Sequence, residues 1–182
     1  MDIQTTPLAG VLLLTPKAYK DPRGWFLESY HQDRYRAAGI SASFVQDNHS
    51  SSSQGTLRGL HAQLKRPQAK LVRCVEGSVW DVAVDVRKGS PTFGKWYGAE
   101  LSGENFRQLY IPTGFLHGFC VLSPQAQVEY KCSDFYDGPD QFGVRWDDPD
   151  LGIAWPVKDP LLSEKDAKAP LLKEVSGRFP RA

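Results

Sequence analysis

The chain has 182 residues, a length that fits one domain with a sizeable core, so we expect residues 1–182 to form a single domain. Its 22 basic residues are nearly balanced by 21 acidic residues. This balance excludes a general nucleic-acid binder, which normally carries a basic excess, and no nucleic-acid partner is expected.

The first forty residues predict two strands and one helix. An apolar run from Leu8 to Leu14 predicts the first strand, and Trp25 to Tyr30 predicts the second. A helix is expected over Asp33 to Ala38, because Gly39 is typical of a helix C-cap. A short strand is expected over Ser43 to Asp47, and the serine-rich segment that follows, residues 48 to 55, predicts a loop.

From Leu57 onward strands dominate, and glycine or proline separates them at short intervals. This spacing is typical of an all-β sandwich or barrel. In the alternating segment from Val128 to Cys132, Tyr130 shares the face of Val128 and is expected to point inward. A helical turn is predicted over Ser163 to Asp166, and residues 176 to 182 are expected to be a frayed tail.

The location is expected to be cytoplasmic, without a membrane partner. The first residues lack the basic region of a signal peptide, and no apolar run is long enough to span a membrane. Cys74, Cys120 and Cys132 are odd in number and lie in apolar runs, so we expect buried free thiols in a reducing compartment.

Polar side chains interrupt the most strand-like part of the chain. Residues 56 to 63 run towards a long β-branched segment, yet the region contains Arg58, His61, Gln63 and Lys70. Polar groups carried on apolar strands are typical of a barrel with a reactive interior. Strict alternation places Arg58 on the face opposite His61, which a bulge at Gly59 would resolve.

Eight segments in chain order resemble the dTDP-4-dehydrorhamnose 3,5-epimerase family, over about residues 8 to 172. They are Asp21-Pro-Arg-Gly24, Gln46-Asp-Asn48, Leu57-Arg-Gly-Leu-His-Ala-Gln63, Lys70-Leu-Val-Arg73, Asp81-Val-Ala-Val-Asp85, Ser90-Pro-Thr-Phe-Gly94, Ile111-Pro-Thr-Gly-Phe-Leu-His-Gly118 and Ser163-Glu-Lys-Asp166. Each segment is weak alone, but eight in order are specific.

The resemblance implies a cupin-type jelly roll with a few short helices, a homodimer, and an enzyme without a metal or organic cofactor. The implied reaction converts dTDP-4-dehydro-6-deoxy-D-glucose to dTDP-4-dehydro-L-rhamnose. The family pattern makes His61 the catalytic base, Tyr130 the acid, Lys70 the assisting cation and Asp166 the partner of the histidine. It assigns substrate binding to Arg23, Glu28, Gln46, Asn48, Arg58, His117, Gln141 and Lys165. Gln141 departs from the pattern, since this position is acidic in many relatives.

These residue types suit inversion beside a ketone. A histidine titrates near working pH and can remove the proton, while a tyrosine on the other face can return one. A lysine can stabilise the enolate oxygen, an aspartate can orient the histidine, and arginine or lysine can bind the pyrophosphate.

Several of these residues have purely structural alternatives. Ser163 and Asp166 have the spacing of a capping box, so Asp166 alone would be expected to cap a helical turn. Tyr130 fits an ordinary inward aromatic residue, and His117 fits a packing role as well as a binding one. Asp81 and Asp85 fit sheet-face or turn partners better than catalysts.

Three other functions remain open at this stage. A mono-epimerase acting on the same nucleotide sugar would use the same base, acid and lysine. A metal-dependent cupin enzyme is disfavoured, because the stretch His61-Ala-Gln63 lacks the second imidazole of a metal-binding pair. A non-catalytic module that binds nucleotide sugars would have no need of His61, Lys70 and Tyr130 together.

Overall fold

Strands dominate the computed structural model, which describes residues 1–179 and 181. The strands are β1 (Asp2–Thr5), β2 (Leu12–Thr15), β3 (Ala18–Asp21), β4 (Gly24–Leu27), β5 (Gln46–Ser53), β6 (Leu57–Gln63), β7 (Lys70–Glu76), β8 (Ser78–Asp85), β9 (Trp96–Ser102), β10 (Gln108–Ile111), β11 (Phe115–Val121), β12 (Gln125–Cys132) and β13 (Gln141–Gly143). The helices are α1 (Gln32–Ala37), α2 (Glu164–Ala167) and α3 (Leu172–Val175), with 3-10 turns at Gly138–Asp140 and Ser176–Arg178. The predicted all-β class with a few short helices is confirmed. Within the described residues, no helix has the length and apolar character needed to cross a membrane.

Two antiparallel sheets pack face to face around the main core. One sheet has six strands in the order β1-β2-β10-β7-β12-β5, and the other has five in the order β13-β6-β11-β8-β9. Val72 and Val128 of the first sheet share a buried cluster with Ala83 and Phe119 of the second. Strands β3 and β4 form a separate hairpin.

A second apolar cluster covers the outer face of the five-stranded sheet. Val82 and Val84 of β8 pack there with Leu172 and Val175 of α3 and with Phe179. Strand β8 is therefore buried on both faces, which explains why its two alternating sets of side chains are both shielded from water.

The predicted elements before residue 56 are partly right. The helix is confirmed, and Gly39 follows it with a φ of +94°, as a left-handed cap requires. The first predicted strand begins later, at β2, and β1 was not predicted. The predicted loop at residues 48 to 55 is wrong, because β5 extends to Ser53. Its weak strand propensity is outweighed by eight residue pairs with β12.

The predicted frayed tail is also wrong as far as Phe179. Residues 176 to 178 form a 3-10 turn, and Phe179 is buried with its ring centroid 5.4 Å from that of Phe142. Lys88 Nζ donates a hydrogen bond to the carbonyl oxygen of Gly177 at 2.6 Å. Burial of the Phe179 side chain therefore fixes this segment against the sheet. The predicted tail also includes Pro180 and Ala182, which lie outside the described residues.

The predicted bulge in β6 is confirmed. The pairing of β6 with β11 shifts register between Arg58 and His61, where two residues of β6 face the single Gly118. Gly59 has a φ of +118°, and a Cβ atom there would lie 2.6 Å from the Cα of Gly118. Only glycine fits this conformation and this close approach. The extra residue brings Arg58 and His61 to the same cavity.

Candidate active site

A cavity of about 470 Å³ is lined by residues of both sheets. The five-stranded sheet contributes Arg58 and His61 from β6 and His117 from β11. The six-stranded sheet contributes Asn48 from β5, Lys70 from β7 and Tyr130 from β12. Residues of the two sheets therefore form different walls of one polar cavity inside an apolar fold.

Most of the predicted site residues meet at this cavity. Those that line it are His61, Lys70, Tyr130, Asp166, Asn48, Arg58, His117, Gln141 and Lys165. Gln46 adjoins the cavity, since its Nε2 donates to Asn48 Oδ1 at 3.0 Å and its Oε1 accepts from the amide of Tyr136 at 2.9 Å.

Arg23 and Glu28 do not line the cavity of their own chain. Both belong to the segment around the β3–β4 hairpin. The Arg23 side chain is 90% exposed and pairs with Asp21 at 2.6 Å, while Glu28 pairs with Arg34 at 2.8 Å.

His61 and Asp166 form a hydrogen-bonded pair. His61 Nε2 lies 2.5 Å from Asp166 Oδ1, and Oδ2 of the same carboxylate lies 3.4 Å from the amide of Gly59. Burial alone would raise the pKa of Asp166, but the hydrogen bond and the charge of His61, together with the Ser163 hydroxyl and the Gly59 amide, leave this pKa below its ordinary value. Asp166 is therefore an ionised carboxylate in contact with the imidazole.

The capping alternative holds for Ser163 and not for the side chain of Asp166. Ser163 is the N-cap residue of α2, and its Oγ accepts a hydrogen bond from the Asp166 backbone amide at 3.1 Å. Because the cap uses the backbone, the side chain remains free to contact His61. The cap therefore belongs to Ser163, and the Asp166 carboxylate contacts His61.

Lys70 and Tyr130 lie together on the six-stranded sheet. The Lys70 ammonium is 5.7 Å from the centroid of the Tyr130 ring. Burial lowers the pKa of Lys70, although Cys132 and Asp81 act in the opposite direction. Burial also raises the pKa of Tyr130, so its phenol retains the proton at neutral pH.

Hydrogen bonds position the two other basic side chains of the cavity, those of Arg58 and Lys165. Arg58 donates from Nε and Nη2 to Ser52 Oγ at 3.1 and 3.0 Å. At the rim, Gln141 Oε1 accepts from Lys165 Nζ at 2.7 Å and from the Tyr136 hydroxyl at 3.1 Å. Arg58 and Lys165 are thus placed to bind an anionic group.

Sequence analysis did not select Tyr136, which lines the cavity and is 56% exposed. The available signal was an aromatic residue directly before the turn that begins at Asp137.

Asp81 was expected to be a sheet-face or turn partner. It is fully buried, and its Oδ2 lies 2.9 Å from His117 Nε2. Asp85 is a turn partner as expected, since it accepts from Ser90.

The side-chain amide of Gln63 is hydrogen-bonded to backbone groups at both ends, which leaves no free group to bind a metal ion. Its Nε2 donates to the carbonyl oxygens of Arg66 and Phe135, and its Oε1 accepts from the amide of Asp137. Its amide is therefore fully used in holding a loop. In the described part of the chain, no three His, Cys, Asp or Glu side chains are grouped to hold a metal ion.

Comparison with known proteins places this geometry in a family. The family profile described as dTDP-4-dehydrorhamnose 3,5-epimerase matches residues 5–174. The chain is 54% identical over 168 residues to the dTDP-4-dehydrorhamnose 3,5-epimerase of Shigella flexneri, covering 91% of this chain and 93% of the relative. It is 43% identical over 177 residues to the dTDP-4-dehydrorhamnose 3-epimerase of Streptomyces niveus, covering 96% and 86%.

A solved structure from Legionella pneumophila has the same fold. This dTDP-6-deoxy-D-glucose-3,5-epimerase, in complex with dTDP-4-keto-L-rhamnose, superposes with a TM-score of 0.96 at 48% identity and covers 100% of this chain and 98% of its own. The two packed sheets described above are accordingly a cupin-type fold. With a profile match over most of its length and a relative of this similarity, the chain belongs to the dTDP-4-dehydrorhamnose 3,5-epimerase family.

Proposed function

We propose that the protein is an epimerase that inverts C3 and C5 of dTDP-4-dehydro-6-deoxy-D-glucose to give dTDP-4-dehydro-L-rhamnose. The observation that carries this proposal is the placement of His61 and Tyr130 on strands of different sheets around one cavity. Inversion requires that a proton is removed from one face of a carbon and that another is delivered to the opposite face. The five-stranded sheet supplies His61 for the removal, and the six-stranded sheet supplies Tyr130 for the delivery.

The proton transfers follow from this arrangement. His61, oriented by Asp166, removes the proton from the carbon beside the ketone, and the electron pair moves to the carbonyl oxygen. The Lys70 ammonium stabilises the resulting enolate oxygen. Tyr130 then gives its proton to the opposite face of the carbon, which completes the inversion. His61 then releases its proton to water and Tyr130 takes one up from water, which restores both groups. A second cycle at the other carbon that flanks the ketone gives the doubly inverted product.

Substrate binding follows from the charges around the cavity. Arg58 and Lys165 are proposed to bind the pyrophosphate, and Asn48, Gln46 and Gln141 to bind neutral parts of the nucleotide sugar.

A mono-epimerase that inverts one carbon is the second candidate, because the Streptomyces niveus relative is named as a 3-epimerase. The higher identity to a relative named as a 3,5-epimerase favours the double inversion. The two functions differ in how many carbons exchange hydrogen with solvent and change configuration.

His61→Ala tests the proposed chemistry, with His49→Ala as its matched control. His49 is also a histidine on a strand, but it contacts Gln127 outside the cavity. We expect His61→Ala to lower kcat by about 100- to 10,000-fold while dTDP binding stays near that of the parent protein. The control is expected to keep its activity. A folded His61→Ala protein with normal turnover would remove His61 from the mechanism.

We further propose a homodimer in which Arg23 and Glu28 complete the cavity of the partner chain. The β3–β4 hairpin presents Trp25 and Phe26 with 54% and 71% of their surface exposed, and β1 is an exposed edge strand. Exposed aromatics and an open sheet edge are features that a second copy covers.

Complementation tests this sharing of residues between subunits. Arg23→Ala and His61→Ala are each expected to be inactive. When they are mixed and allowed to exchange subunits, about one quarter of the sites are expected to be intact. Inactive mixtures whose mass spectra show mixed dimers would contradict the shared site. A fully active monomer in light scattering would contradict the dimer itself.

A cytoplasmic location and a single-domain organisation are also proposed. The three cysteines are free and buried, as suits a reducing compartment, and both sheets contribute to one shared core. Cell fractionation tests the location, and a single cooperative unfolding transition tests the organisation.

A further inference from the structure

Asp81 on β8 is a buried carboxylate that the mechanism above does not use. It is 0% exposed, and it does not line the cavity. Its Oδ2 lies 2.9 Å from His117 Nε2, while Oδ1 has no hydrogen-bond partner within residues 1–179 and 181. Burying an ionised carboxylate with one oxygen unpaired costs stability. A group kept at such a cost is a candidate for a role in function.

The contact of Asp81 fixes the chemistry of His117. Burial lowers the pKa of His117, so the ring is mainly neutral at pH 7 even though Asp81 favours its charged form. In a neutral ring, the nitrogen facing the carboxylate carries the proton. His117 Nε2 therefore donates to Asp81, and Nδ1 is left as an acceptor for a bound sugar.

The charge of Asp81 also reaches Lys70. The ammonium of Lys70 loses hydration in the cavity wall, and this burial lowers its pKa, while Cys132 and Asp81 oppose the effect. Titratable groups that share the cavity with Lys70 include His61, His117, Tyr130 and Asp166, while Cys132 on β12 and Asp81 on β8 lie outside the cavity lining. Cys132 is itself a neutral thiol at pH 7, because burial raises its pKa. Of Cys132 and Asp81, the two groups that favour the charged form of Lys70, Asp81 is the carboxyl group.

We propose that Asp81 is a positioning residue of the epimerase site, which orients His117 by a hydrogen bond and supplies the negative charge that balances the Lys70 ammonium. This inference rests on the proposed epimerisation, because the ammonium matters only where an enolate oxygen forms beside it. The substrate itself touches His117 and Lys70, and Asp81 acts through them.

Asp81→Asn separates this role from a structural one. The amide has the same shape and its oxygen can still accept from His117 Nε2, so the hydrogen bond survives while the charge is removed. Without that charge Lys70 loses its proton more readily. We expect kcat to fall about 10- to 100-fold. Because the protonated lysine is the active form, the alkaline limb of the pH profile should move about one unit to lower pH.

Asp85→Asn is the matched control. Asp85 is also fully buried on β8, but it accepts from Ser90 Oγ, Thr92 Oγ1 and the Arg87 guanidinium, away from the cavity. Its carboxylate stabilises the turn after β8. We expect this variant to lose about 10 °C in Tm and to keep the parent pH profile in the fraction that remains folded. Asp81→Asn should instead keep the parent Tm or exceed it.

Tm, kcat and the pH profile are measured for the parent protein and both variants in one assay. An Asp81→Asn protein that turns over like the parent, or that fails to fold, would overturn the proposal. An inactive parent protein would contradict the proposed function instead. The ¹³Cε shift of Lys70, titrated in the parent and in Asp81→Asn, tests the charge effect without turnover. A lower pKa of Lys70 in the variant supports the proposal, and an unchanged one contradicts it.

Discussion

Replacing Tyr130 by phenylalanine should uncouple hydrogen exchange from inversion. The ring of Tyr130 packs against the core between the sheets, with its centroid 6.2 Å from that of His117, and phenylalanine keeps these contacts. Loss of one hydroxyl should change the free energy of unfolding by about 1 kcal/mol or less. Loss of the general acid should slow inversion by about 100- to 10,000-fold, which is about 3 to 5 kcal/mol in the barrier.

Deprotonation should continue in this variant, because His61, Asp166 and Lys70 remain in place. The assay follows the nucleotide sugar by NMR in deuterated water, comparing the rate of hydrogen exchange with the rate of appearance of inverted product. We expect exchange to survive while inversion falls. Tyr97→Phe is the control, since Tyr97 packs against the same core but does not line the cavity. Parent-like inversion in Tyr130→Phe would remove the phenol from the mechanism, and an equal loss of both rates would indicate a binding or structural role.

Three further predictions concern the surroundings of the base. Gly59→Ala should lower the free energy of unfolding by about 2 to 5 kcal/mol, because the new Cβ atom would lie 2.6 Å from the backbone of β11 at a residue with positive φ. Gly39→Ala is the control, since Gly39 also has positive φ but lies in open space, and it should lower this free energy by less. Equal losses in denaturant unfolding would contradict the close approach at Gly59. Asp166→Asn should lower kcat by about 100-fold or more, since the amide cannot stabilise the imidazolium of His61. The Tm should stay close to that of the parent protein, because the Ser163 cap binds the backbone amide of Asp166. A parent-like kcat would show that the His61–Asp166 pair has no role in turnover. Exhaustive chelation should leave turnover unchanged, because Gln63 is committed to backbone contacts and residues 1–179 and 181 contain no group of three His, Cys, Asp or Glu side chains that could hold a metal ion. Loss of activity that returns with one metal ion per chain would overturn this expectation.

Local patterns in the sequence were sufficient to place the centre of the site. The alternation around Tyr130 predicted its inward direction, since side chains of a strand alternate between faces. The parity conflict between Arg58 and His61 predicted the bulge at Gly59, since only an extra residue brings both to one face.

The features that the sequence did not predict depend on partners far away in the chain. The serines of β5 favour a loop by propensity and become a strand because β12 pairs along their whole length. Phe179 orders the tail through contacts with the outer face of the five-stranded sheet. The role of Asp81 depends on a neighbour in β11 that no spacing within β8 indicates. Tertiary contacts outweigh local preference in β5 and in the tail.

The most direct test of the central claim is the deuterium content of the product formed by the parent protein in deuterated water. If His61 and Tyr130 exchange protons across the cavity at both carbons beside the ketone, NMR should show solvent deuterium and inverted configuration at C3 and at C5. Deuterium and inversion at one carbon only would identify a mono-epimerase. Inverted product that retains its original hydrogen at both carbons would contradict the enolate mechanism.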